Sequence, residues 1–312
     1  MAAAAKSPHG ILPPIAVLIS AAFWGSLWIP LRQIEGGGLS GVWASILVYG
    51  TPALLMLPLL VFGRGRLGSF GLLAFWVGAT SGICNTFYSL GVIYGEVGKV
   101  VLLFYLNPVW SALLERMILK TPISKSRQVT ILLGFIGMGV LVGNSSGLPI
   151  PRNLAEWFGV FAGIFWAASL VGMRFGGSGN MMPKTFFQFL FGALSSALIL
   201  LLGWFPGDML PGAAPLIGAL PWVSLAVLIW ILPAMMLSFW AVSFMSPTRA
   251  SILFMLEAVV GVVTAALLTN EPFGWREIIG GLLILGAGLL DVLITGGGHH
   301  SGNGRKLEAA AE

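Results

Sequence analysis

Long apolar runs alternate with short polar gaps along the whole chain. Ten runs are long enough to cross a bilayer core as helices, which takes roughly 20 apolar residues each. They cover about 12–32, 41–62, 69–94, 98–119, 126–143, 156–175, 184–205, 217–244, 248–269 and 276–295. Between them lie gaps rich in Gly, Pro and charge: GRGR at 63–66, KTPISKSR at 120–127, GNSSGLPIPRN at 143–153 and PGDMLPGAAP at 206–215. Each is too short to hold a domain. The pattern predicts an all-α integral membrane bundle of ten transmembrane helices, with tails at 1–11 and 296–312. The last stretch, GGGHHSGNGRKLEAAAE, reads as a disordered tail whose final residues, 307–312, have the look of an appended scar.

The runs repeat. Gly98 to Pro122 holds a cation, Lys99, then an apolar stretch interrupted by Asn107 and Pro108 and closed by Glu115, Arg116, Lys120 and Pro122. The same design returns 150 positions later: Lys99, Phe104, Leu106, Asn107 and Pro122 become Arg249, Phe254, Leu256, Glu257 and Pro272. Upstream, Phe23, Trp24 and Arg32 recur as Phe165, Trp166 and Arg174. Self-similarity at half the chain length is the mark of duplication. Repeat 1 is expected at 12–143, a connecting loop at 144–155 and repeat 2 at 156–295. Five spans per repeat is an odd number, so the second copy enters from the opposite face. The halves are then inverted repeats, an architecture of secondary transporters with the substrate site near mid-membrane.

Composition sharpens this. Of 312 residues, 57% are hydrophobic and 9% charged, with mean hydropathy +0.94. A soluble domain carries about 25% charged residues, so a surface this poor in charge must largely face lipid. The net charge of +5 does not point to nucleic acid, because the cations lie in loops rather than on one face. Counted by alternate loops, Lys and Arg divide 12 to 4, or 10 to 4 without the C-terminal tail. The positive-inside rule then puts both termini in the cytoplasm. Gly78 and Gly82, Gly91 and Gly95, Gly139 and Gly143, and Gly159 and Gly163 are spaced four apart, as at close helix contacts. The single Cys84 forms no internal disulfide.

Ionisable and polar groups inside lipid are expensive, so each is a candidate for function. Glu257 is a carboxylate near the middle of its span. It either accepts a proton during coupling, holds a substrate ammonium, or bonds a neighbouring polar side chain. Trp24 and Trp166 hold matched mid-span positions in the first helix of each half. Facing each other across a cavity, they would stack on an aromatic or cationic solute. Ser81, Asn85 and Tyr88 follow i, i+4, i+7 and share a helix face. With Trp28 and Tyr105 they offer uncharged donors and acceptors, either to a solute or to neighbouring helices. Asn107 with Pro108 either exposes backbone carbonyls to a ligand or makes a packing kink. Lys99 and Arg249 begin equivalent helices at opposite faces, as snorkelling side chains or as gate charges. Pro30, Pro108 and Pro233 are candidate bends for gating.

Missing groups narrow the class. His9, His299 and His300 all lie in tails, leaving no membrane-buried His for acyl transfer or haem. A GxxxxGK[ST] nucleotide loop, an Arg-rich span and a pair of mid-span Asp residues are all lacking. An enzyme is disfavoured and no cofactor is called for.

Three stretches resemble the EamA-type members of the drug/metabolite transporter (DMT) superfamily: AAFWGSLWIPLR (21–32), LNPVWSALLERMILKTPIS (106–124) and LEAVVGVVTAALLTNEPF (256–273). Glycine-rich closing helices follow, LLGFIGMGVLVG (132–143) and IIGGLLILGAGLL (278–290). The resemblance covers nearly all the chain outside the tails. It implies an EamA-like fold and transport of small organic metabolites across the bacterial inner (plasma) membrane. The Trp content and the LEA segment are most similar to exporters of aromatic and neutral amino acids. Two departures stand out: Ala258 where the family often has Pro, and Thr121 where the second half has Glu271. Alternating access and possible proton coupling through Glu257 complete the expectation. The alternatives are another DMT cargo (a drug, a nucleotide sugar or a phosphorylated sugar) and a non-transporting membrane scaffold.

Overall fold

A computed structural model describes residues 11–39, 41–62, 71–142, 150–176, 181–204, 210–268 and 273–297. The tails, Arg64, Arg66, Gly143 and Glu271 lie outside the described residues. All regular structure among the described residues is helical: α1 (Leu12–Ser26), α2 (Trp28–Gly36), α3 (Gly41–Phe62), α4 (Leu72–Tyr94), α5 (Val97–Phe104), α6 (Asn107–Ile118) and α7 (Lys125–Val142) in the first part. In the second come α8 (Leu154–Gly176), α9 (Met181–Leu201), α10 (Ala213–Leu225), α11 (Leu232–Val242), α12 (Pro247–Phe254), α13 (Leu256–Leu268) and α14 (Trp275–Gly297). A π-helical turn, Ala226–Ile231, joins α10 to α11.

Eight stretches among the described residues are long and apolar enough to cross a membrane, four of which merge consecutive helices: Leu12–Gly36, Val97–Ile118, Ala213–Val242 and Pro247–Leu268. The expected count of ten is not reached by this measure. One of the two shortfalls is α4, with 23 residues but a face of Thr80, Ser81, Asn85 and Thr86 that lowers its hydropathy. The other is α14, also 23 residues long. Leu54, Leu72, Met117, Leu198, Ile217 and Leu289 all stand more than half exposed on the outside of the bundle. An apolar exterior of that extent suits lipid rather than water.

The helix breaks follow from local chemistry. A proline leaves the carbonyl four residues back without its donor and crowds it. Pro30 therefore ends α1 at Ser26, and Pro108 ends α5 at Phe104. The counterpart of Pro30 in the second half is Gly172, which keeps its N–H, and α8 runs unbroken for 23 residues. Pro233 stands second in α11, directly after the π turn, and π turns are a recognised source of bends. At the counterpart of Pro108 there is Ala258, yet the chain still breaks at Met255 between α12 and α13. Here tight bonds replace proline: Met255 N donates to Ile252 O at 3.2 Å and Ala258 N to Met255 O at 3.2 Å.

Packing places α4 at the centre, against α8 and α9, while α1 lies against α11 and α13 and α7 against α14. Glycines permit the closest approaches. Side chains at Gly78 or Gly82 would collide with α9, and at Gly159 or Gly163 with the backbone of α5. At Gly139, by contrast, no neighbour comes near. Another close seam joins the two halves at Gly25, where a β-carbon would strike the carbonyl oxygen of Glu257 and approach Val260 at 2.8 Å. Gly25→Val is expected to destabilise the protein by about 1–3 kcal/mol, the usual range for overpacking. Thermal unfolding in detergent, with Gly139→Ala as the near-neutral comparison, measures it.

Candidate functional site

The breaks open a cavity of about 570 Å³ between the halves. Its inner part is lined by Trp24 and Gly25 of α1, Asn85 and Tyr88 of α4, Tyr105, Trp166 of α8, Phe254 and Glu257. It extends to the end of the bundle where α2 and α4 finish and α5 starts, past Leu31, Glu35, Val92 and Val97. Seven expected site residues thus meet in one place: Trp24, Trp28, Asn85, Tyr88, Tyr105, Trp166 and Glu257. Trp166 packs edge-on against Phe254, with ring centroids 5.4 Å apart, and Tyr88 leans on Phe104 at 4.7 Å. The Trp28 indole N–H is committed to Thr264 Oγ1 at 2.9 Å, so this ring offers the cavity a surface rather than a donor.

Two expected residues lie elsewhere. Ser81 is fully buried and its hydroxyl donates to Val77 O at 2.7 Å on its own helix. The i, i+4, i+7 face fails there because the close glycine packing of α4 on α9 takes that turn. Asn107 is also fully buried, at the start of α6, which packs between α8 and α12. Its amide atoms face no hydrogen-bond partner among the described residues, but they do not reach the cavity. Within the cavity, Trp24 Nε1 and Asn85 Nδ2 are buried and likewise without protein partners among the described residues. Tyr105 Oη faces Glu257 and the Ala258 backbone without a well-formed hydrogen bond.

Lys99 and Arg249 do not snorkel. Lys99 Nζ lies 2.8 Å from Glu156 Oε2, with both side chains about 95% shielded. Glu156 is in turn held by Arg152 N at 2.6 Å and Asn153 Nδ2 at 3.1 Å, while Asn153 Oδ1 accepts from Glu156 N at 2.9 Å. This is a capping box on α8, and the spacing Asn153-x-x-Glu156 is its sequence signature. That signal would have identified Glu156, which the pattern of apolar runs passes over. Arg249 pairs with Asp291 of α14 at 3.2 Å. Neither cation lines the cavity.

The bundle end opposite the mouth is bolted by polar contacts. Glu115 Oε2 accepts from Thr248 Oγ1 at 2.6 Å and from Thr248 N at 3.2 Å, joining α6 to the start of α12. Its Oε1 lies 3.5 Å from Arg127 Nη1. Beside it Ser111 and Ser251 share a 2.7 Å hydrogen bond, and Arg174 donates to Ser243 O at 2.9 Å. Sequence spacing marks Glu115 only as part of a charged exit; its partner on α12 becomes visible when the halves are folded together.

Removing one member of a buried ion pair leaves an uncompensated charge, at a cost of about 3–5 kcal/mol. Lys99→Met should lower stability by that order. Lys99→Met combined with Glu156→Gln, whose single amide oxygen can still accept from Arg152 N, should recover part of it. Thermal unfolding of both variants in detergent checks the coupling.

A protein-family profile described as "EamA-like transporter family" matches residues 12–143 and 153–292. An "Uncharacterized transporter YyaM" of Bacillus subtilis (strain 168) is 24% identical over 258 residues, covering 76% of this chain and 79% of the relative. A solved structure described only as "Crystal structure of protein" superposes with a TM-score of 0.67 at 16% identity, covering 90% of this chain and 98% of its own; it speaks to the fold alone.

Proposed function

We propose, from the premise that this chain belongs to the EamA-like transporter family, that it is a ten-span, non-catalytic transporter of small amphipathic organic solutes. Its two five-span halves are inverted relative to each other, with α4 and α14 completing the ten. It sits in a bacterial inner membrane with both termini cytoplasmic, and it works by alternating access. The observation that carries this reading is a cavity lined by residues of both halves that reaches one end of the bundle, with the contacts around Glu115 and Thr248 at the other.

On the orientation given by the positive-inside rule, the cavity faces outward. Return to an inward-facing state requires α6 and α12 to part, with Pro30, Pro108 and the π turn before Pro233 as the bends. Lys99 and Arg249 then act on gating through their carboxylate partners rather than through direct contact with solute. Aromatic and neutral amino acids, the cargo suggested by sequence resemblance, match the aromatic walls and are the first solutes to test. Glu257 is the group placed to couple a proton to transport.

Counterflow in proteoliposomes loaded with a mixed panel of amino acids and amphipathic drugs tests the reading: exchange above empty liposomes supports it, and absence of exchange for the whole panel rejects it. Access is tested in a Cys84→Ser background, where Asn85→Cys and Ser89→Cys should react with an impermeant maleimide from the outer face. Ser251→Cys should resist it until the protein turns inward. Equal labelling of all three would sink the alternating-access assignment. Glu257→Gln should abolish any pH dependence of uptake, while Trp24→Ala and Trp166→Ala should weaken transport of aromatic solutes more than of alanine.

A further inference from the structure

The charges along the cavity wall are one-sided. Among the described residues the wall carries two ionisable carboxylates, Glu257 deep inside and Glu35 at the mouth, and no Lys or Arg. Two cations adjoin wall residues along the chain: Lys99, next to Gly98, is turned away into its 2.8 Å pair with Glu156, and Arg32 follows Leu31. Arg32 lies exposed over the Trp28 ring, 5.1 Å from its centroid, and is not part of the wall. Arg249 is occupied by Asp291 at the sealed end.

We propose that the cavity selects a monocationic amphipath, a protonated amine on an aromatic or apolar body, with Glu257 as its counter-ion. This rests on the transport reading above and names its substrate class. Charge balance carries the step. With Glu257 ionised and Glu35 exposed to water at the mouth, a monocation leaves the inner pocket neutral. A zwitterion leaves one negative charge, and an anion leaves two, with no wall cation to offset either. Uncompensated charge away from water is among the costliest states a protein can hold. Trp24, Trp166, Tyr88 and Tyr105 line the same space, and aromatic π systems attract a cation more strongly once it is desolvated. The unpartnered Trp24 Nε1 and Asn85 Nδ2 offer N–H groups to an uncharged oxygen of the solute, such as a hydroxyl, ester or amide. A volume of about 570 Å³ falls within the range of small-molecule pockets.

Four probes sharing one phenyl group separate the charge states: phenethylamine, phenylalanine, 3-phenylpropionate and 2-phenylethanol. Their binding to the full chain in nanodiscs is measured by calorimetry, with empty nanodiscs subtracted for lipid partitioning. Phenethylamine should bind on the order of tenfold or more tighter than the other three, one such step being a single charge–carboxylate or cation–π contribution. In Glu257→Gln that preference should shrink to about twofold or less, while Glu257→Asp, which keeps the charge, should retain most of it. Equal or tighter binding of phenylalanine or 3-phenylpropionate overturns the proposal, as does absence of phenethylamine binding. An undiminished preference in Glu257→Gln overturns it too; should that variant fail to fold, the wild-type ranking decides. Amine binding without counterflow would reject transport and leave the selectivity standing. Counterflow of the wider panel without amine preference would do the reverse.

Discussion

The contact of α1 with α13 at Gly25 governs the rest of the molecule. Two backbones from different halves meet there, so close that a methyl group on Gly25 has no room. Without a hydrophobic force to draw helices together in lipid, such van der Waals fit is what holds them. It also fixes the floor of the cavity, since Glu257 belongs to that seam. Its carbonyl is pressed against α1 while its side chain lines the cavity. The carboxylate shares its cavity with the aromatic residues Trp24, Tyr88, Tyr105 and Trp166.

A second constraint is that polar groups inside the bilayer must be satisfied by protein. The chain meets much of this by grouping them. Lys99 and Glu156 neutralise each other near the mouth, Glu115, Thr248, Arg249 and Asp291 form a belt at the closed end, and hydroxyl pairs such as Ser20 with Ser238 join helices in between. The outside is left apolar. The break at Pro108 serves the same economy, because the carbonyl it frees, that of Phe104, lies against Gly163 of α8.

Much of this was legible in the residues. The apolar runs located the helices, and proline positions located two of the breaks four residues upstream. Matching Trp24 with Trp166 and Asn107 with Glu257 brought the eye to the cavity floor. The failures are of one kind. Ser81 and Asn107 were judged by type and spacing, but which face of a helix meets a cavity depends on the neighbours it packs against. The break at Met255 carries no proline, so sequence offers no marker for it. Lys99 and Arg249 looked like matched lone cations; their carboxylate partners lie on helices distant in sequence and become neighbours through tertiary packing. Only the Asn153–Glu156 capping box announced one of those partners locally.

The Glu115 bolt has no twin. At the corresponding place in the second half, 150 positions on, stands Ala265, which lacks a carboxylate with which to clasp the start of α5. A backbone duplicated with near-equal halves therefore holds unequal doors. On the alternating-access proposal the two states would differ in energy, because Glu115 fastens the start of α12 by charge-assisted hydrogen bonds and Ala265 offers no such group to α5. In a carrier working as proposed, an imbalance of that sort would set a preferred resting posture, with the same door left ajar when empty.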